Sequence, residues 1–157
     1  MCKEKKEFMH EAISQSVLSV KNGGGPFGAV IVKDGKIIAK AANSVTQTND
    51  PTAHAEVNAI RIASAKLDSF DLSGCEIYTS CEPCPMCLGA IYWARLDKIY
   101  YGNSKQDAKN IGFDDSFIYA ELDLPLEERK IKATQLEHDK AHKAFENWEL
   151  KEDKTEY

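Results

Sequence analysis

Three of the chain's five cysteines fall within seven residues, as Cys81-Glu82-Pro83-Cys84-Pro85-Met86-Cys87. Five is an odd number. The charged start Met1-Cys2-Lys3-Glu4-Lys5-Lys6-Glu7 leads into no apolar h-region. A secreted disulfide framework is therefore disfavoured, and a reducing, cytoplasmic location is expected. Clustered thiols under those conditions point to metal. The number of ligands then decides the kind of site, because structural zinc is closed by four protein donors and catalytic zinc keeps one position open beside three.

The rest of the chain has to build a scaffold around that cluster. At 157 residues it reads as one domain, residues 1–157, able to bury roughly 70% of its unfolded surface. Its 43% apolar and 29% charged residues are ordinary for a globular protein. No stretch approaches the ~20 apolar residues of a membrane span, so no membrane partner is expected. A net charge of −5 disfavours a nucleic-acid partner.

Apolar residues Phe8, Ala12, Ile13, Val17 and Val20 mark one face of a helix over 7–21, which Asn22-Gly23-Gly24-Gly25-Pro26 breaks. Phe27 to Val32 and Lys36 to Ala42 read as two strands joined by an Asp34-Gly35 hairpin turn. After a loop over 43–51, a helix is expected from Thr52 to Leu67, a strand from Cys75 to Ser80, and a helix from Pro85 to Arg95 with proline in its first turn. Lys98 to Tyr101 is a further strand. Residues 103–118 have no clear period and read as a loop or short helix, and a last helix lies between His138 and Leu150. By composition, the charged tail Lys151 to Tyr157 reads as disordered. Alternating strands and helices define an α/β domain. The hairpin makes its sheet mixed, and ligand sites in such folds lie where strands give way to helices.

Two motifs sit at such places. His54-Ala55-Glu56 opens one expected helix, and Pro83-Cys84-Pro85-Met86-Cys87 opens another. Twenty-seven residues separate Glu56 from Cys84, enough for helix, turn and strand. Cys84 and Cys87, three apart, share a helix face, and a helix N-terminus favours their thiolates. With His54 they make three metal ligands. The fourth position is left for water, whose pKa zinc lowers toward ~7. Residues two apart do not share a helix face. His54 and Glu56 are therefore expected to straddle the helix start, the imidazole on the metal and the carboxylate beside the water as proton carrier.

Each motif also has a plainer reading. C-x-x-C alone could be redox-active or structural, and Cys81 could add a fourth donor that closes the site. Three closely spaced cysteines do not easily all reach one metal while Glu56 stays unused. Cys75 reads as a buried strand residue, and His10, His138 and His142 as helix-surface residues.

H-x-E followed by P-C-x-x-C is the signature of zinc nucleobase deaminases, in which the glutamate is not a ligand. The chain resembles the cytidine-deaminase-like superfamily and, more narrowly, the bacterial guanine deaminases. The resemblance is carried by Gly24 to Val32, Asn49 to Val57, Tyr78 to Arg95, Gly112 to Tyr119 and the terminal Glu156-Tyr157. Of these, the histidine and cysteine segments also occur in tRNA adenosine deaminases. Gly112 to Tyr119 and the last two residues discriminate for guanine deaminase.

The resemblance implies a three-layer αβα fold with a five-stranded mixed sheet, one Zn2+ per subunit, and a homodimer that exchanges residues 137–157. It implies hydrolysis of guanine to xanthine and ammonia in purine catabolism and salvage. Asn43 would meet the purine edge, and Asp115 the polar ring atoms. Phe27, Trp93, Phe113 and the partner-reaching Tyr157 would enclose the base. Taken alone, Asn43 is a turn residue, Asp115 a cap or surface charge, and each aromatic more often core. Glu82 could support proton transfer or cap a helix. The alternatives are deamination of tRNA adenosine, cytosine or an aminotriazine, and a non-catalytic zinc module.

Overall fold

Asp34 and Gly35 both adopt positive φ, 49° and 70°. They form the two-residue turn that matches the twist of flanking strands. The computed structural model describes residues 2–157. In it, this turn joins β1 (Gly28–Lys33) to β2 (Lys36–Ala42) as an antiparallel pair. On its other side β1 pairs antiparallel with β3 (Cys75–Cys81), and β3 pairs parallel with β4 (Lys98–Asn103). The mixed sheet thus runs β2-β1-β3-β4.

Seven helices complete the described residues: α1 (Cys2–Lys21), α2 (Val45–Thr48), α3 (Ala55–Leu67), α4 (Pro85–Trp93), α5 (Lys105–Asn110), α6 (Ser116–Leu122) and α7 (His138–Glu149). The chain forms two compact units, divided after Asp115.

Side chains alternate across the central strands, and so do the two cores. Ala29, Ile31, Cys75 and Ile77 face α3 and α4, where they meet Ala55, Ala59, Ala63 and Ile91. Val30, Val32 and Tyr78 face α1, against Ala12, Phe8 and Met9. The first unit is therefore helix, sheet, helix, with β1 and β3 buried on both faces. Alanines spaced four apart let α3 lie close on the sheet. Each fully buried large apolar side chain, such as Leu72 or Ile77, contributes about 1.5–3 kcal/mol. On the opposite face α1 lies so near β1 that a Cβ on Gly28 would collide with the Ala12 carbonyl and the Ser16 amide.

Sequence and structure differ in several places. α1 begins at Cys2 rather than 7, because Lys and Glu extend a helix that no Gly or Pro interrupts. Within 103–118 the short-helix reading holds: the segment forms α5 and the start of α6, the former opened by a Ser104–Asp107 capping box.

The sheet has four strands among the described residues, not five. After β4 the chain turns at once into α5. Beyond α6, local bonds hold residues 123–137: Arg129 donates to the Leu122 and Leu124 carbonyls, and the Lys130 amide to Glu121. The second unit carries α6, α7 and the tail, and neither helix has a buried residue. Among the described residues, no helix is long and apolar enough to cross a membrane.

Candidate active site

The chain enters α3 through a tight turn. Asp50 Oδ1 accepts hydrogen bonds from both the amide and the hydroxyl of Thr52, at 2.8 and 2.7 Å. The turn delays the helix by three residues from the expected Thr52 and leaves His54 as N-cap with extended backbone, φ −70° and ψ 155°. Cys84 is the N-cap of α4 in the same conformation, φ −67° and ψ 169°, with Pro85 following.

Cap residues normally turn their side chains back onto the helix amides. Neither of these does. Their side chains meet each other instead, with Cys84 Sγ 3.6 Å from His54 Nδ1. Cys87, in the first turn of α4, brings its Sγ to 3.5 Å from the same nitrogen. Cys84 thus stands just outside the helix rather than on its face, and the two thiols still converge.

The donor atoms of His54, Cys84 and Cys87 lie within 4.8 Å of one another, the one such group of metal-ligating side chains among the described residues. Around a tetrahedral ion with zinc's bonds of ~2.3 Å to sulfur and ~2.0–2.1 Å to nitrogen, sulfur and nitrogen stand about 3.6 Å apart. The observed spacings fit. Cys81 stays out of the group. Its thiol donates to the Ser104 carbonyl at 3.6 Å, and burial pushes its pKa up to about 11.

Electrostatics favour a thiolate at Cys84. The hydrogen bond from Cys87, and then that from His54, hold the Cys84 thiol down to about 4. Cys87 shares its proton with Cys84 and is buried, so its own pKa goes up. The bond to Cys84 raises His54. Two helix N-termini aimed at one point add to the preference for negative charge.

Glu56, the second residue of α3, is only 5% exposed. Burial raises its pKa, against the pull of its bonds to Thr79 and Cys87. Thr79 Oγ1 donates to Oε1 at 3.0 Å, and Cys87 Sγ donates to Oε2 at 3.4 Å. His54 and Glu56 straddle the helix start, and a proton-carrying carboxyl stands against the three-donor cluster. That arrangement suits hydrolysis with a transferable proton.

Asn43 follows β2 directly. It is buried, its Oδ1 accepts from the Val45 amide at 3.2 Å, and its own amide donates to the Phe27 carbonyl at 3.0 Å. Phe27 meets Phe113 edge to face, with centroids 4.9 Å apart. Asp115 is half-buried. Burial raises its carboxyl pKa, and the negative charge of Cys84 adds to the effect.

Glu82 accepts from the Lys105 amide at 3.1 Å and so caps α5. Trp93 stands at the other end of α4 from Pro85, about 12 Å along the helix. It is 68% exposed and lines an open surface depression with Gly89, Tyr92 and Arg95. Tyr157 ends the second unit and is exposed.

Sequence reasoning misses two residues. One is Thr79, whose signal is its parity with Cys75 and Ile77 on β3, which turns it toward α3. The other is Asn58, whose amide donates to Ala42 O, Ser44 Oγ and Ala53 O at 3.0–3.3 Å and ties the end of β2 to the start of α3.

The fold and the three-donor cluster are those of a zinc-binding deaminase domain. Residues 2–103 match the cytidine and deoxycytidylate deaminase zinc-binding region, and the chain belongs to that family. It is 53% identical to the guanine deaminase of Bacillus subtilis (strain 168) over 151 residues, 96% of this chain and 97% of that protein. An X-ray structure of guanine deaminase from Bacillus subtilis superposes with a TM-score of 0.94 at 52% identity, covering 97% and 98% of the two chains. The tRNA-specific adenosine deaminase of Aquifex aeolicus (strain VF5) is 40% identical over 128 residues, 82% of each chain.

Proposed function

We propose that this chain holds one zinc ion per subunit through His54, Cys84 and Cys87 and hydrolyses guanine to xanthine and ammonia, as a cytoplasmic homodimer serving purine catabolism and salvage. One observation carries the chemistry: the buried Glu56 carboxyl faces a cluster of one nitrogen and two sulfurs at zinc's spacing. The likeness to guanine deaminase over nearly the whole chain carries the choice of substrate.

Zinc in such a site acts as a Lewis acid that makes water a competent nucleophile at neutral pH. The chain's own residues do the rest. Glu56 takes a proton from the attacking water and delivers it to a ring nitrogen, then carries the second to the departing amine. The ring carbon gains oxygen and loses nitrogen, so guanine and water become xanthine and ammonia. Glu56 ends as it began.

Phe27 and Phe113 form apolar walls for a flat heteroaromatic ring, and Asn43 and Asp115 supply polar partners at its edge. Glu82 is left to its cap on α5. Ile131, Leu150 and Tyr157 of the second unit are each more than 70% exposed. Exchange of residues 137–157 with a second copy would cover them and bring Tyr157 to the partner's base.

Zinc-loaded protein is to be assayed for ammonia release from guanine, adenine, cytosine and a tRNA stem-loop. Turnover of guanine alone or foremost supports the reading. Preference for the stem-loop would replace it with tRNA editing, which the net charge of −5 opposes. A monomeric mass by light scattering would remove the exchange.

A further inference from the structure

Thr79 is fully buried in β3, and its hydroxyl makes one side-chain hydrogen bond among the described residues, to Glu56 Oε1 at 3.0 Å. A buried hydroxyl is costly without a partner, and valine has the same shape and suits a strand at least as well. Packing therefore gives no reason for threonine here, and Glu56 gives one.

We infer that Thr79 is a positioning residue for the deamination, fixing the Glu56 carboxyl so that only Oε2 exchanges protons with the reactants. This rests on the reading of the site as a hydrolytic deaminase. The Thr79 O–H points at Oε1 and occupies that oxygen. The mobile proton is then confined to Oε2, the oxygen that lies 3.4 Å from Cys87 Sγ on the ligand side. Free of this bond, the carboxyl would rotate about its terminal torsion, which is broad and two-fold, and present the wrong oxygen for part of the time. Thr79 itself touches neither ligand nor substrate. It acts through Glu56, by the same logic by which outer groups orient catalytic ones.

The test is Thr79→Val, which keeps volume and branching and removes the hydroxyl. On guanine, kcat is expected to fall about 10- to 100-fold while KM changes less than about 3-fold. Zinc content should stay at its wild-type value and the variant should remain folded at the assay temperature. Thr79→Ser should recover most of the loss. Should the valine variant not fold, Thr79→Ala against Thr79→Ser keeps the comparison, because activity must follow the hydroxyl rather than the methyl. Wild-type kcat in Thr79→Val, or equal kcat in the serine and alanine variants, would overturn the inference. Absence of guanine turnover in zinc-loaded wild type would instead remove the functional reading beneath it.

Discussion

His54 and Cys87 stand thirty-three positions apart in the chain, yet imidazole Nδ1 and thiol Sγ are 3.5 Å from each other. Neither lies in the interior of a helix. The first is the cap of α3, and the second sits in the opening turn of α4. The cluster therefore exists only where two helix starts are held side by side by β1 and β3 beneath them.

Removing one donor should release the metal. His54→Ala and Cys84→Ala are expected to lose bound zinc and activity together, as read by elemental analysis of purified protein. Cys81→Ser should keep a full complement of zinc, because its thiol faces the Ser104 carbonyl. Loss of metal from the Cys81 variant would make the site a closed, four-donor one.

Glu56→Gln keeps the size of the side chain and removes the proton carrier. Turnover is expected to fall by about 100- to 10,000-fold, the usual worth of a positioned acid–base group, with zinc retained. A variant that kept one-tenth of wild-type kcat would show that some other group moves the proton.

Burial raises the Glu56 pKa, and the sign of the consequence follows. Below the ordinary carboxylate range the group is neutral in both folded and unfolded chains and costs nothing. As pH climbs, the unfolded chain sheds the proton first, so the native state loses stability until the raised pKa is passed. Metal-stripped wild type should therefore lose ground to metal-stripped Glu56→Gln as pH is taken from 4 to 8. Urea titrations at several pH values measure the gap. A gap that stays constant with pH would contradict the assignment.

Gly28→Ala places a methyl against the backbone of α1, at the Ala12 carbonyl and Ser16 amide. Backbone cannot swing aside as a side chain can. About 1–3 kcal/mol of stability should be lost, seen as a lower denaturation midpoint with the zinc ligands untouched.

Most of the sheet was legible because its signals are local. Asp34-Gly35 dictates a hairpin, and four apolar runs correspond to four strands. The convergence of His54, Cys84, Cys87 and Glu56 could be expected because their residue types and spacing are chemically restrictive.

What escaped depends on contacts distant in sequence or on fine turn geometry. The Asp50–Thr52 turn sets the start of α3, and with it the way His54 and Glu56 straddle that start and both reach Cys87. Thr79 has no motif of its own and becomes visible only when β3 lies under α3. The fifth strand was carried by resemblance alone, and the chain beyond β4 spends its hydrogen bonds on helices and on Arg129 instead.

Neighbouring residues of β3 serve opposite layers, since Tyr78 enters the core beneath α1 while Thr79 bonds Glu56. A single inserted or deleted residue between Cys75 and Thr79 would invert that allocation, swinging a phenol ring into the reaction chamber and burying the hydroxyl where it meets no acid. The reading frame of one short ribbon is thus as consequential for chemistry as any ligand.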